Sequence, residues 1–389
     1  MIKYRALLIL LLPLAEWVFC ITPDAQLIKS ITKHDLPVEL HKVVTADDYV
    51  LTMIRIPAPG KPPLLLMHGL LCSSADYTIL GPEKSLASLA YKAGYDVWLG
   101  NNRGNTFSRV HKKLDVKSKE FWEFSFDEFA LYDLPSMVDY VLNRTRQTKL
   151  HYVGFSQGTT QFFAMNSLRP EYNAKFISAH LLAPVSFLHR ATNPAMFLAS
   201  RINELEVIAD MTNVYDIASR GGPLVDTIVL AVKTGFVPPD LVLINIWYFF
   251  GYHDSINRTM IPELAEYTPA GISLYQFLHY LQVYNAKSFQ RYDFGKKKNL
   301  KRYGQVNPPD YPLHKVAAPV YLYHSEKDNL NHPKDVEELV KRLPNVKLKF
   351  KVPMADWNHL DFIYSSEAHR LYQVIISELK KLRAKQLGG

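Results

Sequence analysis

This sequence reads as an α/β protein with a mostly parallel central sheet, helices on both faces of the sheet, and an inserted helical segment. Three observations lead there. Short strand-like runs at residues 64–67, 95–99 and 151–155, the first of them continuously apolar, alternate with helix-like stretches, the pattern of strands buried on both faces of a parallel sheet. The alternation stops between residues 185 and 313, where helical and strongly apolar segments take over, and it resumes at residues 319–323. The chain has 389 residues, 48% of them hydrophobic, enough for one large core carrying an insertion.

At the start of the chain, Lys3 and Arg5 precede an apolar run over residues 6–14, and polar sequence begins after Cys20. That is the build of a cleavable secretory signal over residues 1–20. As a membrane anchor it fits poorly, because Pro13 and Glu16 interrupt a run already short of the ~20 residues that span a bilayer. Cleavage near Cys20 leaves Cys72 as the one cysteine of the mature chain, so no disulfide can form within it. The Asn-Arg-Thr triplets at Asn143 and Asn257 agree with passage through the secretory route and mark two candidate glycosylation sites. A formal net charge of +8 would suit an anionic interface, and equally a basic protein in free solution.

Residues 36–57 alternate on either side of Asp47-Asp48, as a β-hairpin does. A proline-rich break at 57–63 then feeds the strand at 64–67, and a helix is expected at 83–91. After the strand at 95–99 come a long helix at 126–142, a strand at 151–155, a helix beginning after Ser156, and a strand at 176–183. Residues 185–313 form the helical cap, with apolar segments at 196–198, 224–232 and 236–250, most of which should serve the cap's own core. The basic run at 296–302 reads as a solvated loop. Strands at 319–323 and 346–352 and an amphipathic helix at 367–382 close the chain. The core is then 21–184 together with 314–389. No internal repeat, phosphate-binding loop or metal-ligand cluster is evident, so neither cofactor nor metal is expected, and no nucleic-acid partner.

The chemistry concentrates in Gly154-Phe-Ser-Gln-Gly158, a G-x-S-x-G pattern between a strand and a helix. In the α/β-hydrolase fold this pattern is a nucleophile elbow: Gly154 and Gly158 allow a tight turn that lifts Ser156 above the sheet. A serine needs an imidazole to take its proton and a carboxylate to fix that imidazole. In chain order for this fold, Asp328 lies past the strand at 319–323 and His359 past the last strand, with Glu326 and Asp361 as rival acids. One oxyanion donor would be the backbone N–H of Gln157. The second would come from the loop after the third strand, where Leu70 follows His68-Gly69.

His68-Gly-Leu-Leu71, Asn101-Asn-Arg-Gly104, Gly154-Phe-Ser-Gln-Gly158, Asp328 and Trp357-Asn-His-Leu-Asp-Phe362, in this order and spacing, resemble the acid lipase family that includes gastric and lysosomal lipases. The resemblance extends from about Val38 to Leu379. It implies Ser156 as nucleophile, His359 as base, Asp328 as orienting acid, Leu70 and Gln157 as oxyanion donors, and a lid within the cap. Neutral lipid esters at an oil–water interface would be the substrates, and the enzyme would be a secreted or lysosomal monomer without stable membrane insertion. Two features depart from the family: the cap lacks the paired cysteines of gastric members, and Asp47-Asp48 stands where the hairpin usually has Asp-Gly. A short-chain or sterol esterase, and a lipid-binding protein that has lost catalysis, are the alternative expectations.

Overall fold

Eight strands run in one path across the central sheet of the computed structural model, which describes residues 22–252 and 254–387. The expected signal at 1–20 lies outside the described residues. The strands are β1 (Glu39–Val44), β2 (Tyr49–Ile56), β3 (Pro63–Met67), β4 (Asp96–Gly100), β5 (Leu150–Phe155), β6 (Phe176–Leu182), β7 (Val320–His324) and β8 (Val346–Lys351). Their spatial order is β1-β2-β4-β3-β5-β6-β7-β8, and a two-residue strand at Val110–His111 pairs with β2 off this path. β2 is antiparallel to β1 and to β4, and from β4 to β8 every neighbouring pair is parallel. β3, β4 and β5 are buried along their whole length, whereas the edge strand β8 alternates between half-buried and exposed positions.

The α-helices of seven residues or more are α1 (Pro23–Thr32), α2 (Leu86–Lys92), α3 (Leu134–Thr145), α4 (Gln157–Leu168), α5 (Ile202–Thr212), α6 (Pro223–Lys233), α7 (Pro239–Phe250), α8 (Ile261–Tyr267), α9 (Leu274–Ala286), α10 (Lys296–Tyr303), α11 (Pro333–Arg342) and α12 (Ala368–Leu387). β3 divides its side chains between two cores: Leu65 and Met67 face a cluster built with α3 and α4, while Leu64 and Leu66 face one built with α1, α2 and α12. Period-two alternation along a doubly covered strand produces this division.

Three elements differ from the sequence expectation. Residues 296–302 form the helix α10 rather than a loop, because Gly304 ends it in the left-handed conformation and the buried Asn299 amide bonds Asp293 and the Val306 carbonyl. The helix expected over 126–142 is broken by a π-helical turn at Phe129–Asp133. Pro135 has no N–H to offer Leu131, whose carbonyl accepts from Arg169 instead. Helix α1 was not foreseen; its start is set by the Thr22 hydroxyl, which caps the Ala25 N–H, and by Pro23 in its first turn.

The hairpin between β1 and β2 explains the Asp47-Asp48 departure. Asp48 sits at φ +71, the left-handed region that favours glycine, where a short polar side chain is the next best tolerated. Asp47 accepts both terminal nitrogens of Arg103, whose Nε meets Asp133 at 2.7 Å and whose guanidinium lies 4.0 Å from the centre of the Tyr49 ring. Arg103 and Asp133 are both buried. An Arg103→Met variant leaves a buried carboxylate unpaired and should lose about 3–5 kcal/mol of unfolding free energy, measured by denaturant titration.

Polar groups also cross the sheet. His151 Nδ1 on β5 lies 2.8 Å from Ser178 Oγ on β6, Ser178 lies 3.1 Å from His180, and His180 Nδ1 lies 2.9 Å from the Tyr323 hydroxyl on β7. Burial holds His151 down to about 4 and His180 well below its ordinary value; His279, stacked on Phe126, is also lowered to about 4. These rings stay neutral in the fold but take up protons in the unfolded chain below about 6.5. Their contribution to stability is therefore complete above that pH and lost as the pH falls toward 4. In a His279→Phe variant, the drop in unfolding free energy between pH 6.5 and pH 4 should be smaller by about 3 kcal/mol. Equal drops in the two proteins would contradict the assignment.

Candidate active site

The chain leaves β5 at Phe155 and enters α4 at Gln157, and Ser156 between them has φ +50 and ψ −111. Its N–H donates to the Leu182 carbonyl at 3.0 Å, and its carbonyl accepts from Thr159 N at 2.8 Å. The turn closes only because two positions lack a side chain. A Cβ on Gly154 would lie 2.6 Å from the Gly158 backbone, and one on Gly158 would lie 2.3 Å from the Met67 carbonyl oxygen at the end of β3. The start of α4 is thereby pressed against β3, with the serine side chain above the sheet.

His359 reaches this serine from the loop after β8. Its Nε2 lies 2.8 Å from Ser156 Oγ, and its Nδ1 lies 2.8 Å from Asp328 Oδ2, on the loop after β7. The other carboxylate oxygen of Asp328 accepts the N–H groups of Leu330 at 2.9 Å and Asn331 at 2.8 Å, so the carboxylate is held from both sides. All three side chains are buried. The rival acids are engaged elsewhere. Glu326 is exposed and paired with Lys351 at 2.7 Å, while Asp361 accepts the Asn358 N–H at 2.7 Å and the Ser255 hydroxyl, shaping the histidine loop.

The loop after β3 passes directly over the serine. A Cβ on Gly69 would come within 2.8 Å of the Phe155 ring and 3.3 Å of Ser156 Cβ. His68 fixes the turn from below: its Nδ1–H donates to the Gly69 carbonyl at 2.8 Å and its Nε2 accepts the Asn102 N–H at 3.2 Å. Burial lowers the His68 pKa to about 4, which keeps this single tautomer neutral. Among the described residues, the backbone N–H groups of Leu70 and Gln157 have no protein acceptor. The Gln157 side chain is taken by Gln276 of α9.

The cap grips this site through contacts that no local pattern announced. Asn329 and Asn193 both donate to the Phe249 carbonyl, at 2.6 and 2.7 Å, and Asn358 donates to the Gly251 carbonyl at 2.8 Å. The C-terminal end of α7 is thus fastened to the residue after Asp328 and to the residue before His359. Phe250 lies nearly parallel to the His359 ring, 6.3 Å away. The one signal in the sequence was the asparagine beside Asp328 and beside His359.

Asn143 and Asn257 are both exposed; the Asn257 side chain accepts from the N–H and the hydroxyl of Thr259 within its own triplet. Cys72 is a free buried thiol. His189, Asp335 and Glu338 bring three ligand-type atoms within 4.8 Å of one another. Arg190 already bonds both of these carboxylates, and Arg342 bonds Glu338 at 2.8 Å, so positive charge is supplied there by guanidinium groups. Among the described residues no helix is long and apolar enough to cross a membrane.

Comparison with known proteins adds to this geometry. A model of the α/β-hydrolase fold matches residues 62–209, and a model of a partial α/β-hydrolase lipase region matches residues 27–81. The chain is 36% identical to Lipase 3 of Drosophila melanogaster, covering 88% of this chain and 90% of that protein. It is 35% identical to the gastric triacylglycerol lipase of Bos taurus, covering 88% and 87%. Among solved structures, one assigned as a lipase from Sulfolobus solfataricus superposes with a TM-score of 0.61 at 16% identity, covering 88% of this chain and 94% of the other. A membrane phospholipase A superposes with a TM-score of 0.52 at 15% identity, covering 98% and 99%. At such identities these two structures speak for the fold alone.

The packing at the serine turn makes a direct prediction. Gly158→Ala should lower the unfolding free energy by about 2 kcal/mol or more, because the added methyl meets a backbone carbonyl that cannot rotate away. A variant of unchanged stability would show that the turn is looser than described.

Proposed function

The chain belongs to the α/β-hydrolase lipases, the family of the gastric and lysosomal acid lipases, and we propose that it hydrolyses ester bonds of neutral lipids through an acyl-enzyme on Ser156. The observation that carries this mechanism is the continuous relay from Ser156 Oγ to His359 to Asp328, with 2.8 Å at each step. Ser156 attacks the ester carbonyl carbon while its proton passes to His359 Nε2. Asp328 holds the opposite nitrogen as an N–H donor and stabilises the imidazolium that forms. The tetrahedral oxyanion is received by the free N–H groups of Leu70 and Gln157, each such donor being worth ~3 kcal/mol of transition-state stabilisation. The imidazolium then protonates the departing alcohol, and water repeats the sequence to release a fatty acid.

Support for lipid rather than soluble substrates comes from the cap. Phe197, Met211, Leu224, Phe236, Tyr248 and Tyr252 are all more than two-thirds exposed, and all lie between residues 197 and 252. A concentration of this kind has a use at an apolar interface and is a liability in water. Triglycerides are the first substrate to test, because the Bos taurus relative is named for them; cholesteryl esters are the second. The relay is complete within one chain, so a monomer would carry every group the proposed chemistry uses. The leader-like residues 1–20 and the two exposed Asn-Arg-Thr triplets support a secreted or lysosomal location.

The test is fatty-acid release from emulsified long-chain triglyceride, measured beside a soluble short-chain ester for the secreted protein and for Ser156→Ala. Triglyceride turnover is expected, with a loss of about 10⁴-fold or more in the variant. Turnover confined to the soluble ester would indicate an esterase, and identical behaviour of the two proteins would leave a lipid-binding role.

A further inference from the structure

One buried carboxyl group near the site has no part in the relay. Asp76 lies in the short 3₁₀ turn Ser74–Tyr77, downstream of the loop that carries Leu70, and is 4% exposed. Its Oδ2 accepts the Ser73 N–H, and its Oδ1 accepts the hydroxyls of Thr268 at 2.8 Å and Tyr364 at 2.9 Å. These three donors belong to three different parts of the protein. Ser73 stands three residues after Leu70, Tyr364 stands five residues after His359, and Thr268 directly follows the cap helix α8.

The loop upstream is secured at three of its carbonyls. Gly69 O accepts Cys72 N, Leu71 O accepts Ala270 N of the cap at 2.7 Å, and Cys72 O accepts the Asn105 side-chain amide at 2.8 Å. Leu71 itself is held at φ +63, a conformation it would leave if the loop were free to relax. The far end of this loop is held by the Asp76 side chain and by Asn101, which accepts the Ser74 N–H at 3.0 Å and donates to the Ser74 hydroxyl at 2.9 Å; of the two, only Asp76 also ties the loop to the cap and to the segment behind the histidine. We propose that Asp76 is a positioning residue for ester hydrolysis: it sets the place of the Leu70 N–H by gathering the oxyanion loop, the segment behind the histidine and the cap at one point.

The inference rests on the hydrolytic role proposed above for Ser156, Leu70 and Gln157. It follows from the sensitivity of an oxyanion donor to placement, where a displacement of about 1 Å can cost roughly 100-fold in rate. The groups that Asp76 bonds, one backbone N–H and two hydroxyls, carry no charge, so its two oxygens act here as hydrogen-bond partners rather than as the counter-ion of a cation. What the site requires is an acceptor for Ser73 N–H and a polar partner for two hydroxyls. An asparagine can meet both needs, its oxygen on Ser73 and its amide on the hydroxyl oxygens; an alanine can meet neither.

The experiment compares kcat and KM on a soluble short-chain ester, and the rate of Ser156 labelling by an organophosphonate, for the full chain and its variants. Asp76→Ala should lower kcat by roughly 10- to 100-fold with KM within about twofold. The labelling rate should fall by a similar factor, because labelling also builds charge on the oxyanion donors. Asp76→Asn should restore both to within a few-fold of the parent. Tyr364→Phe and Thr268→Val, which each remove one hydroxyl and add no bulk, should show the same kcat-selective loss on a few-fold scale, and they decide the matter if Asp76→Ala does not fold. Parent-like kcat in a folded Asp76→Ala protein, or in both hydroxyl variants, overturns the inference while leaving the lipase intact. An effect on KM alone does likewise. Loss of Ser156 dependence in the parent overturns both.

Discussion

The site is built outward from the close approach of Gly158 to the Met67 carbonyl oxygen, which a Cβ on Gly158 would meet at 2.3 Å. With no side chain between them, the first turn of α4 rests on the end of β3, and the strand carrying Ser156 is locked to the strand that launches the oxyanion loop. Histidine and acid can then arrive from β8 and β7 on the same side of the sheet, because parallel strands end their loops together. A methyl group at that point would push Ser156 away from the loop that carries Leu70 while leaving every side chain of the relay unaltered.

Around this contact the core and the cap behave as one machine rather than as scaffold and cover. Gln276 of α9 holds the side chain of Gln157, asparagines beside Asp328 and His359 hold the end of α7, and Ala270 and Thr268 hold the loop beneath Leu70. Gln157, the loop of Leu70, and the residues beside Asp328 and His359 are thus all bonded to the insertion. Cap sequence can vary on its exposed apolar surface with little effect on the relay, but not at these few polar points.

The parts of this site that could be read in the sequence were those written as local patterns. Gly154 and Gly158 around Ser156 report a steric demand satisfied within five residues, and the placement of Asp328 and His359 after apolar runs reports strand ends. The amide grip on α7, the neutral His68 beneath Gly69 and the gathering role of Asp76 involve partners up to 288 residues apart, as with Asp76 and Tyr364. Nothing in the residues near Asp76 announces Tyr364. The basic run at 296–302 hides its helix for a related reason: its charge points to solvent, while Asn299 and Gly304, which make it a helix, act through the turn that surrounds it. Asp48 went the other way, a local departure whose cost is reduced by tolerance for left-handed backbone and by a lysine 65 positions along the chain.

The fastening of α7 also bears on how a bulky ester could reach a buried serine. Three amide-to-carbonyl bonds, each worth about 1 kcal/mol net, place release of the helix end at least roughly 3 kcal/mol uphill, before the packing of Leu243 is added. A gap of that size corresponds to something under one molecule in a hundred at any instant, continually renewed and needing no covalent change. Entry would then be metered by an equilibrium already running in the resting protein, and an apolar surface that favours the released helix end would need only a few kcal/mol to reverse the ratio.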